Sequence, residues 1–278
     1  MPVDGSRSPR EGWLGSWPPI AAARPNCPDP PRRDLWGYYA QTTFFDEQFG
    51  RLLAALDELG LRENTILVFS SDHGDMHGSQ GVYKKQWPWD ESIMVPFILD
   101  YPPEVKPGSR FSFPISVIDV MPTLLGLAGI TVLETVEGVD LSPFIRTDRD
   151  DPPESVLLMN PCPFSIGDAR GPDQVPTYHG MRMEFRGVRT ARYTYVRTID
   201  QPWLLYDNQE DPYQLANRID DDAMTGVRDE LEAMMRAHMT AIGDKFLPKE
   251  AYYERFSFDL DHRGKLRALV ENPYDRSG

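Results

Sequence analysis

The sequence is short of cysteines and of basic side chains, and each shortage excludes a class of protein. Cys27 and Cys162 are the only cysteines in 278 residues, so a disulfide-rich scaffold is excluded and at most one bridge can form. Lysine and arginine number 29 against 43 acidic residues, a net charge of −14. Such a chain does not suit nonspecific nucleic-acid binding, which needs basic side chains to displace counterions. We expect no nucleic-acid partner, and we expect any anionic substrate to be held by a metal or a few placed cations.

Long apolar runs are also absent. No stretch of about 18 apolar residues occurs, so we expect no transmembrane helix and no membrane partner. The opening residues, MPVDGSRSPREGW, lack the apolar core of a secretory signal peptide, and the default expectation is therefore a cytoplasmic location. Hydrophobic residues make up 40% of the chain and charged residues 26%, a balance typical of a globular protein with a sizeable core.

Four segments differ in composition and pattern. Residues 1–33 are rich in proline, and we expect a disordered or loosely packed leader. Residues 34–146 alternate helical and strand patterns, which predicts an α/β domain. Residues 147–180 are predicted to form a loop-rich connection, and residues 181–278 a small C-terminal subdomain of antiparallel sheet and helix.

The helix and strand patterns are clearest in the first half of the chain. Apolar positions spaced alternately by four and three predict one long helix, capped by Asp34 and stopped by Gly60. These positions are Tyr38, Thr42, Phe45, Phe49, Leu52, Leu56 and Leu59. A coiled coil would give similar spacing, but the strand that follows at once favours a helix packed on a sheet. Strands are predicted at 65–69, 95–99 and 115–118, and the first is apolar on both faces, as in a parallel sheet.

Later patterns predict smaller elements. Asp119 is expected to cap a short helix that closes at Gly129. Residues 185–206, with a turn at Asp200-Gln201-Pro202, predict an antiparallel hairpin. A helix is predicted at 227–242 from the apolar side chains along one of its faces.

The residues best suited to chemistry follow the first predicted strand, in the run SSDHGDMHGSQGVYKK at 70–85. Ligands of open α/β sheets bind beyond the carboxyl ends of the strands, and Asp72 and His73 stand at such an end. A carboxylate and an imidazole are common ligands of divalent metals. The same residues also suit a simple turn in which Asp72 accepts backbone hydrogen bonds, so the residues alone leave both interpretations open.

An ordered series of short motifs runs along residues 35–240. The motifs are GYYA at 37–40, DELG at 57–60 with NT at 64–65, SDHGDM at 71–76, Gly81, KQ at 85–86, ESI at 91–93 with VP at 95–96, DVMPTLL at 119–125, GVRT at 187–190, Tyr193, LYD at 205–207 and EDP at 210–212. As a set they resemble the C-terminal half of the sulfatase family, in the alkaline phosphatase superfamily. The resemblance implies a partial sulfatase-like α/β fold: a mostly parallel sheet with flanking helices, followed by a small C-terminal α+β subdomain.

The resemblance also implies a chemistry, the hydrolysis of sulfate monoesters. Asp72 and His73 would occupy two metal-ligand positions, and Lys85 the position of a lysine that contacts the sulfate. A divalent metal polarises sulfate oxygens, and a lysine neutralises charge in the transition state. Calcium is the metal expected from the family, while the softer ligand His73 makes manganese, zinc or iron an alternative. Lys84 and Lys85 also fit a solvated loop.

The sequence departs from the family pattern at several positions. Gln80 stands where the family often has a histidine, and the nearest histidine, His77, is either catalytic or an exposed loop residue. The family's nucleophile is a cysteine in Cys-x-Pro-x-Arg that becomes formylglycine, and neither Cys27 nor Cys162 lies in that pattern. The family's N-terminal acidic metal ligands have no counterpart before residue 34. We therefore expect a truncated form that is inactive alone.

Three functions stay open at this point. The first is a sulfatase-family hydrolase that acts on a small sulfated ester. The second is a phosphonate or phosphate ester hydrolase of the same superfamily, because both chemistries use the same metal architecture. The third is a non-catalytic remnant or interaction module. For all three we expect self-association, because an incomplete sheet exposes an edge and an apolar face.

Overall fold

A computed structural model of the protein describes residues 30–146, 151–163 and 184–257, and two short strands at 177–178 and 181–182. The chain divides into two compact units. The first lies within Met1–Trp87 and Glu91–Pro107, and the second within Pro88–Asp90 and Gly108–Gly278. Helices and sheets occur together, which confirms the predicted α/β class. None of the described helices is long and apolar enough to cross a membrane.

The first unit is built around one long helix, α1 (Pro30–Glu58). It begins before the predicted cap Asp34, because a proline in a first helical turn has the right φ and needs no amide partner. The rings of Phe45 and Phe49 contact Phe69, with centroids 5.8 and 5.2 Å apart. These contacts confirm that the predicted apolar face packs on the strand that follows. Except for residues 30–33, the predicted leader lies outside the described residues.

The strand beside α1 has an antiparallel partner. Strand β1 (Leu67–Phe69) pairs with β2 (Ile98–Asp100) and places Val68 opposite Leu99. A one-turn helix, α2 (Asp90–Ile93), precedes β2. The pairing differs from the parallel neighbour expected for this strand. A run apolar on both faces indicates burial, but it does not encode the direction of the adjacent strand.

The third predicted strand, at 115–118, is wrong. Val117–Asp119 form a 3₁₀ turn that leads into helix α3 (Val120–Leu127). Asp119 is 6% exposed, and its carboxylate accepts hydrogen bonds from the amides of Ser116 (2.7 Å) and Val139 (2.8 Å). These bonds tie two loops together, and the Ser116 amide takes part in a helix cap and not in a strand ladder. The predicted helix and its end at Gly129, with φ of +70°, are confirmed.

The rest of the second unit is an antiparallel sheet covered by a helix. Its elements are α4 (Ser142–Ile145), β3 (Ser155–Asn160), β4 (Thr177–Tyr178), β5 (Met181–Arg182), β6 (Phe185–Thr190), β7 (Tyr193–Thr198), β8 (Pro202–Asp207), α5 (Thr225–Ala241) and α6 (Lys249–Arg255). Four of the strands form one sheet in the order β3, β6, β7, β8, and β4 and β5 form a separate hairpin. The predicted hairpin and α5 are confirmed. Strand β3 lies inside the segment expected to be loop-rich.

The core between this sheet and α5 comes from side chains that lie opposite one another on neighbouring strands. Val188, Tyr195 and Leu205 are each at most 1% exposed, and they pack against Leu231 and Met235 of α5. Burial of side chains this large contributes about 1.5–3 kcal/mol each for the aliphatic residues. The sheet and α5 therefore form a self-consistent α+β layer, as predicted.

The buried carboxylate of Asp119 generates the first prediction. Asp119→Ala leaves two partly buried amides without an acceptor, so we expect the free energy of unfolding to fall by about 1–3 kcal/mol. Asp119→Asn keeps one acceptor oxygen and should lose less. The measurement is urea denaturation, with the exposed Asp220→Ala as the matched control. Equal stability of Asp119→Ala and the control would contradict the role given to this carboxylate.

The exposed surface of the first unit generates the second prediction. Among the described residues, β1 and β2 form a sheet of only two strands, so each keeps one edge without a partner strand. Trp36, Tyr39 and Phe44 of α1 are all more than 60% exposed. We expect the chain to self-associate, because open edges and apolar faces favour association.

Light scattering coupled to size exclusion measures the association directly. Wild-type protein should elute above the monomer mass of 31.7 kDa. The double variant Trp36→Gln, Phe44→Gln should shift toward the monomer, because it removes apolar surface without touching the core. A monodisperse wild-type monomer with a sharp cooperative melt would overturn this expectation.

Candidate functional site

The loop that follows β1 has an unusual backbone. His77, Gln80, Lys84 and Gln86 all have positive φ, between 45° and 73°. Residues other than glycine rarely adopt this region, and they keep it only where the surrounding structure imposes it. The conformation of this loop is therefore fixed by its contacts.

Asp72 and His73 lie together at the carboxyl end of β1. Oδ1 of Asp72 accepts hydrogen bonds from the His73 amide at 2.9 Å and the Ser71 hydroxyl at 3.3 Å. Oδ2 of Asp72 lies 3.3 Å from Nε2 of His73. The Asp72 side chain is 82% exposed and that of His73 is 36% exposed. The two predicted ligands are thus adjacent and open to solvent.

The tautomer of the His73 ring follows from the contact that Nδ1 makes. Nδ1 lies 2.8 Å from the carbonyl oxygen of Gly74. A carbonyl only accepts hydrogen bonds, so Nδ1 carries a proton. In the neutral ring the lone pair then sits on Nε2, the nitrogen that faces Asp72. Metal-ligating histidines are oriented in the same way by a hydrogen bond from their second nitrogen.

The charge of Asp72 follows from the same contacts. Burial acts to raise the pKa of the Asp72 carboxyl, but hydrogen bonds from the His73 amide and the Ser71 hydroxyl act in the other direction, and the pKa lies below its usual value. The carboxylate is therefore ionised at neutral pH. Together Oδ2 and Nε2 offer two electron pairs to a cation. The described residues contain no group of three or more His, Cys, Asp or Glu side chains arranged for a metal.

The two lysines lie at the far end of the loop. The Met76 amide donates a hydrogen bond of 2.8 Å to the carbonyl oxygen of Lys84, which closes the loop between the Asp72–His73 pair and Lys85. Lys84 is exposed and Lys85 is half-buried. Within the described part of the chain, no ion pair joins Lys85 to Asp72 or His73.

His77 has different neighbours. Its ring meets Tyr38 edge-on, with centroids 4.6 Å apart. Its amide donates to Oδ1 of Asp75 at 2.9 Å, and its buried Nε2 has no hydrogen-bond partner among the residues that the structure describes. His77 therefore packs against α1 and is not simply an exposed loop residue. Its catalytic role stays a prediction.

In the sequence, Glu91 and Ser92 stand out only as part of the motif ESI, whereas in the structure both residues contact the loop. The carbonyl oxygen of Ser92 accepts a hydrogen bond from the Gly74 amide at 2.9 Å. The Ser92 hydroxyl accepts from the Trp87 amide at 3.3 Å, and the Glu91 carboxylate accepts from the Ser79 hydroxyl. The contacts with Gly74 and Ser79 span a dozen residues or more, so no local pattern signals them.

Cys162, the cysteine among the described residues, lacks the properties of a nucleophile. Cys162 is half-buried and free. Burial, followed by the charge of Glu184, raises the pKa of the Cys162 thiol, so the thiol stays protonated at neutral pH and reacts poorly. Cys27 lies outside the described residues.

Comparisons with known proteins agree with the motifs and with the fold. Residues 17–130 match the family model described as Sulfatase. The ulvan-active sulfatase of Formosa agariphila is 38% identical over 230 residues, which cover 82% of this chain and 43% of that protein. A solved Bacteroides thetaiotaomicron structure connected with the metabolism of multiple glycosaminoglycans is 28% identical with a TM-score of 0.66, over 86% of this chain and 50% of that one.

A second solved structure has a different chemistry. The phosphonate monoester hydrolase of Silicibacter pomeroyi is 25% identical with a TM-score of 0.59, over 81% of this chain and 43% of that one. The chain spans about half the length of each of these relatives. The family model, the relatives and the shared fold agree with the motif series, and the chain belongs to the sulfatase family, within the alkaline phosphatase superfamily.

Proposed function

We propose that this chain supplies part of the metal site and a sulfate contact for the hydrolysis of sulfate monoesters. One observation carries the proposal. Oδ2 of Asp72 and Nε2 of His73 lie 3.3 Å apart at the carboxyl end of a strand, and the Gly74 carbonyl holds the ring in the tautomer that leaves Nε2 able to bind a cation. A carboxylate and a neutral imidazole fit a divalent metal.

Each residue has its own part in this chemistry. Asp72, ionised at neutral pH, provides an anionic oxygen, and His73 provides a neutral nitrogen whose proton is kept on Nδ1. A divalent metal held by this pair would polarise the sulfate oxygens. The Lys85 ammonium would offset the negative charge that develops on those oxygens in the transition state. His77 is kept as a candidate proton donor on the strength of its free buried Nε2 among the described contacts.

The oxygen and nitrogen donors of Asp72 and His73 fit more than one divalent metal. Calcium takes six to eight oxygen ligands, and zinc usually has at least three protein ligands. The mixed oxygen and nitrogen pair suits manganese or zinc as well as the calcium expected from the family. Because Asp72 and His73 provide only two ligands, we infer weak binding by this chain alone.

The substrate is inferred from a relative. The Formosa agariphila protein is named for its action on ulvan, and we extend this to a sulfated saccharide as the substrate class. Likeness to a phosphonate monoester hydrolase supports a phosphate or phosphonate ester as the second candidate, because both chemistries place a tetrahedral oxyanion on a metal. Affinity for inorganic sulfate against phosphate, in the presence of manganese, separates the two.

Metal binding tests the proposal and is the third prediction. Titration calorimetry with manganese, calcium and zinc should give a dissociation constant of about 10⁻⁴ M or weaker, as for sites with few protein ligands. The double variant Asp72→Ala, His73→Ala should abolish the heat of binding, because it removes both donors. Asp46→Ala on the exposed surface of α1 is the control and should bind like the wild type. Tight binding that survives the double variant would locate the metal elsewhere.

Turnover by the chain alone is the fourth prediction. The 278-residue sequence has no Cys-x-Pro-x-Arg, and the thiol of Cys162 is a poor nucleophile, so we expect no hydrolysis of a chromogenic aryl sulfate. The assay uses protein co-expressed with a formylglycine-generating enzyme, and a complete sulfatase serves as the positive control. Turnover that survives Cys27→Ala and Cys162→Ala would show that this chain has another nucleophile.

A further inference from the structure

Ser92 contacts both ends of the loop that runs from Gly74 to Trp87. Ser92 accepts a hydrogen bond on its carbonyl oxygen from the Gly74 amide (2.9 Å) and another on its hydroxyl from the Trp87 amide (3.3 Å). Gly74 directly follows His73, and Trp87 comes two residues after Lys85. A single residue therefore joins the segment with the metal-ligand pair to the segment with the lysine.

Glu91 holds the middle of the same loop. Its carboxylate accepts a hydrogen bond from the hydroxyl of Ser79, which begins the 3₁₀ turn Ser79–Gly81. Ser79 is 6% exposed and Ser92 is 4% exposed. Water therefore reaches the Ser79 and Ser92 hydroxyls poorly. Removing the hydrogen-bond partner of such a buried group leaves that group without a hydrogen bond.

The contact at Gly74 leaves no room for a side chain. A Cβ on residue 74 would lie 2.0 Å from the carbonyl oxygen of Glu91. The backbone of Gly74 is not in the left-handed region, so this position needs glycine for space and not for its conformational freedom. The Glu91 main chain thus packs directly against the residue whose carbonyl fixes the His73 ring.

We propose that Glu91 and Ser92 are positioning residues for Asp72, His73 and Lys85, an inference that rests on the function proposed above. Neither residue is proposed as a metal ligand or as a substrate contact. They impose the strained positive-φ conformation of the loop, which needs such external contacts to persist. Without them the loop relaxes, the metal-ligand pair loses its orientation, and the chain stays folded.

Hydrogen exchange tests the contacts without any metal. In the full chain, Ser92→Ala should speed exchange of the Trp87 amide at least about tenfold while the Gly74 amide stays protected, because the carbonyl of residue 92 remains. Glu91→Ala should speed exchange over residues 78–81, and Glu91→Gln, which keeps an acceptor oxygen, should restore most of the protection. Glu58→Ala, the same substitution on the exposed surface of α1, is the control. Exchange unchanged by Ser92→Ala and Glu91→Ala would overturn the proposal.

Manganese titration separates this inference from the function on which it rests. We expect Glu91→Ala and Gly74→Ala to weaken manganese binding about tenfold, with Glu91→Gln near the wild type and Gly50→Ala, which has open space around it, unchanged. A wild-type chain that binds no manganese contradicts the proposed function, and the exchange pattern alone then decides the positioning role. A wild-type chain that binds, together with a folded Glu91→Ala variant that binds equally well, contradicts the positioning role alone.

Discussion

The candidate site depends on one close approach of backbone to backbone. The carbonyl oxygen of Glu91 occupies the space that a Cβ of residue 74 would need, so only glycine lets the two segments meet. The contact holds Gly74, and the Gly74 carbonyl holds the proton of His73 on Nδ1. That proton leaves the lone pair on Nε2, next to the Asp72 carboxylate. A packing constraint therefore underlies the arrangement of the two atoms that we propose as cation ligands.

Elements whose contacts are local could be predicted from the sequence. The long helix α1, the hairpin of β7 and β8 and the helix α5 all follow from spacing and turn residues. Elements that depend on distant partners could not. Strands β1 and β2 pair antiparallel although they lie about thirty residues apart in the sequence, and no local pattern encodes that direction. The strand expected at 115–118 is replaced by a turn, because the Asp119 carboxylate ties two loops together.

The same difference between local and distant contacts applies to the residues of the candidate site. Asp72 and His73 could be found from their residue types and their place after an apolar strand, and the structure puts them side by side. Ser79, Glu91 and Ser92 could not be given a role, because a serine or glutamate in a loop carries no sign of which amide or hydroxyl it will meet. Strand β3 could not be predicted for a related reason, because its apolar run is short and stands among residues that favour loops.

The charge of the site limits what the Asp72–His73 pair can attract without a cation. The chain carries a net charge of −14, and the Asp72 carboxylate stays ionised because its contacts lower its pKa. A sulfate ester is itself an anion, so a bare Asp72–His73 pair repels the group that it is proposed to serve. Lys85 supplies one positive charge, which only balances that of Asp72. In the proposed function, a divalent cation held by Asp72 and His73 would give this part of the site the positive charge that attracts an anion.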